Sequence, residues 1–283
     1  MRILSIQSSV SYGHVGNSAA VFPLQRIGHE VMPVFTVVFS NHTGYGSWKG
    51  PMLSGDDVRG LVQGIDERGG LDDVELILSG YQGGDDIGDA ILDSVALAKQ
   101  RNPEAVYACD PVLGSAASGC FVSPEVQALI RDRVVPKADI IAPNQFELGF
   151  ITGTDPHTLD ETLESVELAR ARGPQTVLVT SVFRPDRPES TVEMLAVNGE
   201  GAWIVQTPHL PMKANGSGDV TAALFSSHFV SSGDPADALG RTAASMFELI
   251  ENTLESGQRE LRLVESQEAY VSPRHSFEVR RVG

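Results

Sequence analysis

The stretch "AVYACDPVLGSAASG", residues 105–119, changes character part-way along. Five small or apolar residues suit a buried strand. Asp110 then brings a charge, Pro111 withdraws a backbone donor and ends any ladder, and serines and glycines follow. The same change recurs along the chain. The β-rich runs "RILSIQ" (2–7), "VMPVFTVV" (31–38), "VELILS" (74–79), "AVYAC" (105–109), "DIIA" (139–142) and "TVLVT" (176–180) each enter a polar, often glycine-rich segment. Helical patterns lie between them, at 17–27, 57–68, 87–101, 124–133, 145–152 and 159–172. Strand alternating with helix predicts an α/β fold with a mostly parallel central sheet and helices on both faces.

"TVEMLAVNGEGAWIVQTP" (191–208) breaks the alternation, because two β-like runs flank the turn "NGEG". An antiparallel edge hairpin near 191–207 is expected there. A further helix spans 235–255, where Leu239, Thr242, Met246, Leu249, Ile250 and Leu254 keep helical spacing. No repeat, low-complexity tract or linker interrupts the 283 residues, so one domain over 1–283 is expected.

Composition narrows the function. There are 37 acidic residues against 21 basic, a net charge of −16. Nucleic acid is thereby excluded as a partner, since its binding rests on Lys and Arg neutralising phosphates. A nucleotide could still bind as its magnesium complex, at a site built from backbone N–H groups. No apolar run approaches the roughly 18 residues of a membrane span. "MRILSIQSSVSYGH" turns polar after six residues and lacks a signal-peptide core, so a cytoplasmic protein is expected. Cys109 and Cys120 are too few for a disulfide framework or a zinc cluster.

The polar segments hold most of the candidate reactive residues. In open α/β sheets, ligands bind beyond the carboxyl ends of the strands. "ANGSGDVTAALF" (214–225) sets Gly216, Ser217 and Gly218 before an apolar helix, where exposed N–H groups attract anions. Asp219 nevertheless places a carboxylate at that start; Asp before an apolar run also serves as an N-cap. "APNQFE" (142–147) spaces Asn144 and Glu147 three apart on one helix face, either as a capping box or with Glu147 holding hydrated Mg²⁺. Asp110 either caps a turn or faces phosphates through a cation. "FSNHTGYGSWKG" (39–50) packs His42, Thr43, Tyr45 and Trp48 into a glycine-broken loop able to close over a flat ring. Two familiar nucleotide motifs are absent: no Lys-Ser/Thr follows the glycines of 216–218, and "SYGHVGNSAA" lacks G-x-G-x-x-G.

Taken in order, "IQSSVSYGHVGNSAA", "FSNHTGYGSWKG", "LSGY", "CDPVLG", "DIIAPNQFE", "VLVTS" and "GSGD" resemble the pyridoxal kinases of the ribokinase-like superfamily. The resemblance runs from residue 3 to about 230. "FSNHTGY", "SGY" and "CDPVLG" are specific to vitamin B6 kinases, whereas "GSGD" with "NQFE" marks the broader superfamily. It implies the ribokinase-like fold, ATP as co-substrate, Mg²⁺, a monovalent cation (K⁺ or Na⁺) and a homodimer. Ser8, His42, Thr43, Tyr81 and Asp219 would line the pyridoxal pocket. Asp110, Ala142, Glu147 and Thr180 would surround the phosphates and their cations, Ala142 through its carbonyl and Asp110 and Glu147 on the metal side. Thr207, Pro208, His209 and Leu210 would lie by the nucleotide. Asp219 would be the catalytic base, with Gly216, Ser217 and Gly218 as the anion hole.

Two positions depart from the pattern. Several pyridoxal kinases carry an Asp where Ser115 stands, which puts a second metal-linked carboxylate in doubt. Some bacterial relatives have Gln at the place of Gly44. The nearest alternative is a ribokinase-like kinase for another hydroxymethyl substrate, such as hydroxymethylpyrimidine; a non-catalytic vitamin B6 carrier is more distant, and intact Asp219 in "GSGD" speaks against it. Cys120, expected in a mobile loop, is a candidate for reversible thiol addition to the pyridoxal aldehyde.

Overall fold

The computed structural model describes residues 1–212 and 214–283, without the side chain of Asp85. The strands are β1 (Arg2–Tyr12), β2 (Glu30–Asn41), β3 (Val74–Ser79), β4 (Val106–Cys109), β5 (Gly114–Ser115), β6 (Gly119–Cys120), β7 (Ile140–Ile141), β8 (Thr176–Val182), β9 (Thr191–Asn198), β10 (Gly201–Pro208) and β11 (Val279–Arg281). Nine of them form one sheet in the order β11-β10-β9-β8-β7-β4-β3-β1-β2. From β2 to β8 every pairing is parallel; β9, β10 and β11 are antiparallel additions at one end. The expected hairpin is present, and the three-residue β11 lies outside it, beyond the reach of any sequence pattern.

Period-two alternation sends side chains to two separate cores. Ile77, Tyr107, Cys109, Ile141, Val177 and Val179 pack on one face. That face is covered by α2 (Gly55–Asp66), α3 (Asp85–Arg101), α4 (Pro124–Leu129), α5 (Gln145–Thr152) and α6 (Leu159–Arg170). Leu76, Leu78, Ala108, Ile140 and Leu178 face the other way. There they meet α1 (Asn17–Arg26), α7 (Ser217–Ser232) and α8 (Pro235–Glu255). Burial on both faces is why these strands read as nearly continuous apolar runs.

The expected elements exist, with boundary differences that have local causes. The helix expected at 124–133 is α only to Leu129 and then widens into a π turn over Ile130–Val134 before Pro136. β1 and β2 continue past the apolar runs to Tyr12 and Asn41, across a register break between Gln7 and Ser9. Asn17 lies under that break, donating from Nδ2 to the carbonyls of Ser5, Gln7 and Val34 at 3.0–3.3 Å. Because β2 and β3 flank β1, the chain leaves β1 and β3 in opposite directions. The crevice this opens at the carboxyl ends is where such sheets bind ligands. Among the described residues, no helix is long and apolar enough to cross a membrane.

Candidate active site

Three carboxylates converge at the carboxyl ends of β4, β7 and the start of α7. Glu147 is 4% exposed, and its oxygens are nearly saturated. Oε1 accepts the N–H groups of Leu113 and Gly114 at 2.7 and 3.1 Å, and Oε2 accepts that of Asn144 at 2.9 Å. Asn144 returns the bond, accepting from Glu147 N, and its Nδ2 donates to the Gly114 carbonyl at 2.8 Å. The capping box therefore exists, and it also clamps the "DPVLG" turn. Within that turn Val112 holds φ at 39°, a region that β-branched residues avoid. The strained residue lets the two following N–H groups share one oxygen.

Asp110 is buried beside this clamp, its Oδ1 accepting the Val112 N–H at 3.3 Å. Burial first, then the charges of Glu147 and Asp219, push its carboxyl well above the usual range. Burial also raises Glu147, against the pull of its three backbone donors. Asp219 is raised to about 6, chiefly by burial, while the N–H groups of Gly16 and of Asp219 itself favour its charged form.

The position of Asp219 corrects the simple capping alternative. Gly216 is the N-cap of α7, at φ 86°, and Asp219 is the third helical residue. Gly216 has no substitute, since a Cβ there would collide with the His14 carbonyl in a backbone conformation that L side chains resist. The 13–16 loop is thus wedged against the helix start and delivers the Gly16 N–H to Asp219. Of the three glycine-turn donors, Ser217 N–H is partly drawn back to the Ala214 carbonyl at 3.4 Å. Gly218 is exposed and borders Asp110.

A cavity of about 210 Å³ opens from this turn. Thr180, Thr207, Pro208, His209 and Leu210, five of the eight sequence-predicted nucleotide residues, line it with Ser217 and Gly218, whereas Asp110, Ala142 and Glu147 do not. Phe183, which sequence reasoning missed, also lines it and meets His209 edge-to-face at 5.0 Å. Ser181 takes φ 52° at a break in the β8–β9 register, turning that strand end toward the cavity. Ala142 follows β7, and its N–H donates to the Cys109 carbonyl at 3.0 Å. A larger open groove of about 850 Å³, between α6 and the β9–β10 turn, holds none of these residues and lies at the far end of the strands.

The ring-pocket candidates other than Asp219 lie in or just after β1, β2 and β3. Ser8 is buried under Gly16, whose added Cβ would strike the Ser8 carbonyl and hydroxyl. Tyr81 is half-buried against Val10, Val15, Val37 and Phe39, and its phenol is raised by that burial. His42 caps the 3₁₀ turn Thr43–Tyr45 by accepting the Gly44 N–H at Nδ1, 3.1 Å away. Cys120 is not in a free loop: Gly119–Cys120 pairs with Gly114–Ser115, and burial plus the nearby Glu147 charge raise its thiol. Ser115 turns to Ser118, at 2.8 Å between hydroxyls.

Known proteins resemble the chain in sequence and fold. A pyridoxal kinase PdxY of Leifsonia xyli subsp. xyli is 66% identical over 283 residues, covering the whole of both chains. The chain belongs to the pyridoxal kinase family. A second such kinase, from Corynebacterium diphtheriae, is 59% identical over 282 residues, all of each chain. The solved pyridoxal kinase of Leishmania donovani in complex with ADP and pyridoxamine is 29% identical, with a TM-score of 0.92 over 100% of this chain and 99% of that one. Residues 87–263 match the phosphomethylpyrimidine kinase family model, consistent with the broader kinship that "GSGD" marks.

Proposed function

We infer that the chain transfers the γ-phosphoryl group of ATP to the 5′-hydroxymethyl of pyridoxal, with pyridoxine and pyridoxamine as further acceptors, in vitamin B6 salvage. The observation that carries this is the placement of Asp219. It accepts the Gly16 N–H from the loop that packs on Ser8, and it directly follows Ser217 and Gly218, which line the cavity shared with Thr180, Thr207, Pro208, His209 and Leu210. An acceptor hydroxyl beside it would meet a carboxylate able to take its proton. Phosphoryl transfer asks mainly for positioning and charge stabilisation. Gly216, Ser217 and Gly218 supply N–H groups and the positive end of α7 to the transferred group.

Asp110 and Glu147 are buried, the charges of Glu147 and Asp219 raise the Asp110 carboxyl, that of Asp219 raises Glu147, and none of the three is ion-paired with a described residue. Such a cluster suits a cation. Among the described residues these carboxylates, like every other group of three His, Cys, Asp or Glu, are not close enough to hold a bare metal ion. Hydrated Mg²⁺ shared with the nucleotide phosphates fits better, Asp110 facing it directly and Glu147 through water. When bound, it would screen phosphate charge and polarise the phosphoryl oxygens. A monovalent cation near the Ala142 carbonyl, a working homodimer, one kinase domain over 1–283 and a cytoplasmic location belong to the same proposal.

Incubation with ATP and a panel of pyridoxal, pyridoxine, pyridoxamine and hydroxymethylpyrimidine tests it. ADP release should track the B6 vitamers; preferred turnover of hydroxymethylpyrimidine, or none at all, would sink the assignment. His42→Ala and Tyr81→Phe should each raise the pyridoxal KM about tenfold, the value of one lost hydrogen bond, and leave the ATP KM nearly unchanged. Equal losses for both ligands would instead mark these side chains as scaffolding.

A further inference from the structure

The segment after α8 carries no motif, yet it reaches both halves of the site. Leu261 and Leu263 are each 1% exposed and pack with Ala19, Val220 and Leu224, so the segment is anchored on α1 and on the first turns of α7. Glu260 is consequently held just outside Asp219's helix. Its Oε1 accepts the Tyr45 hydroxyl at 2.6 Å, and its Oε2 accepts the His14 N–H at 3.1 Å. Gly13, at φ 87°, makes room for that carboxylate, which an added Cβ would strike. Arg259 lies over the Tyr45 ring at 3.9 Å and donates to the Gly44 carbonyl at 3.4 Å. Tyr12 meets the same ring edge-on at 6.1 Å.

One carboxylate thus joins two loops with different duties. Tyr45 ends the turn that begins at His42 and Thr43. His14 precedes Gly16, whose N–H holds Asp219, and the His14 carbonyl abuts Gly216. The hydrogen bond to Glu260 pushes the Tyr45 phenol up to about 12. We propose that Glu260 is a positioning residue, which through Tyr45 fixes the pyridoxal loop and through His14 fixes the loop that orients the catalytic base. This rests on the assignment of His42 and Thr43 to the ring pocket.

The two arms can be cut separately. Tyr45→Phe keeps the ring under Arg259 and severs only the pyridoxal arm; Glu260→Ala severs both, and Glu260→Gln keeps an acceptor. Tyr45→Phe should raise the pyridoxal KM about 5–20-fold, as expected for a charge-assisted bond, with kcat and the ATP KM unchanged. Glu260→Ala should raise the pyridoxal KM comparably and also lower kcat about tenfold, the scale of a misoriented base. Glu260→Gln should recover most of that kcat. The double variant Tyr45→Phe/Glu260→Ala should have no higher pyridoxal KM than Glu260→Ala, because Glu260→Ala alone already cuts the Tyr45 link. Additive KM effects, or kcat and both KM values changing in proportion to a fall in melting temperature, would overturn the proposal. His42→Ala serves as the reference: if it leaves the pyridoxal KM unchanged, the pocket assignment fails and takes the proposal with it. If His42→Ala raises that KM while Tyr45→Phe does not, the proposal alone is wrong.

Discussion

Asp219→Asn is expected to lose activity and gain stability at once. Removing the proposed proton acceptor should lower kcat by about 10²–10⁴, equivalent to roughly 3–5 kcal/mol of barrier. Asparagine keeps the size, and its amide oxygen can still accept the Gly16 N–H. Mg–ATP affinity should hold or improve, since a negative charge beside the phosphates is gone. The stability gain follows from the carboxyl's raised pKa, about 6 against 3.8. A carboxyl raised in the folded state stabilises the fold while protonated. That contribution is complete below about 3.8 and is lost as pH rises through about 6. At neutral pH the ionised Asp219 therefore costs the fold up to about 3 kcal/mol. Asn removes that cost.

The variant should melt about 3–8 °C above the parent near pH 7.5, and the gap should close near pH 4, where the parent carboxyl is protonated. The parent's kcat/KM for pyridoxal should fall on an acid limb near 6, as the base protonates in the free enzyme. Measuring kcat, nucleotide affinity and melting curves at both pH values on one preparation separates the effects. Near-normal kcat would eliminate Asp219 as the base. Loss of stability at pH 7.5 would mean that its hydrogen bonds outweigh its desolvation.

The sequence made some of this site legible and hid the rest for identifiable reasons. The parallel strands were readable because burial on both faces leaves apolar runs, and each run ended abruptly in polar residues at the ligand-binding end. Asp110, Glu147 and Asp219 were readable because each sits in a short local motif whose geometry depends on neighbours in sequence. The helix position of Asp219 was not, since "GSGD" leaves open which residue caps; contact between Gly216 and His14 decides it, across some 200 residues of chain. Phe183 and Glu260 escaped for the same reason. Their surroundings look like ordinary loops, and only the fold brings Phe183 to His209 and Glu260 to Tyr45. Cys120 was misplaced because a glycine-rich segment suggests mobility, whereas Gly114 is the one residue type that lets the Gly119 carbonyl approach and close a two-stranded ladder.

Glu147 should have the second large effect, and two substitutions divide its duties. Glu147→Ala removes the acceptor of three N–H groups, those of Leu113, Gly114 and Asn144, at a side chain only 4% exposed. Buried donors left without partners cost about 1–3 kcal/mol each. A loss of about 3–5 kcal/mol is expected, and with it the clamp on the strained Val112 turn that carries Asp110. Glu147→Gln is gentler. Its carbonyl oxygen can take the place of Oε1 before Leu113 and Gly114, while its amide must face the Asn144 N–H donor to donor, a loss of about 1–2 kcal/mol. The Gln variant also withdraws one charge from Asp110, whose carboxyl should ionise more readily. If Glu147 serves hydrated Mg²⁺ through water, the Gln variant should need about tenfold more Mg²⁺ for half-maximal activity, the usual scale for an outer-sphere partner. Thermal melts and Mg²⁺ titrations of activity on both variants are the measurement. A Gln variant with the parent's Mg²⁺ dependence would reduce Glu147 to a capping residue. An Ala variant that melts with the parent would show that something other than these three bonds holds the turn.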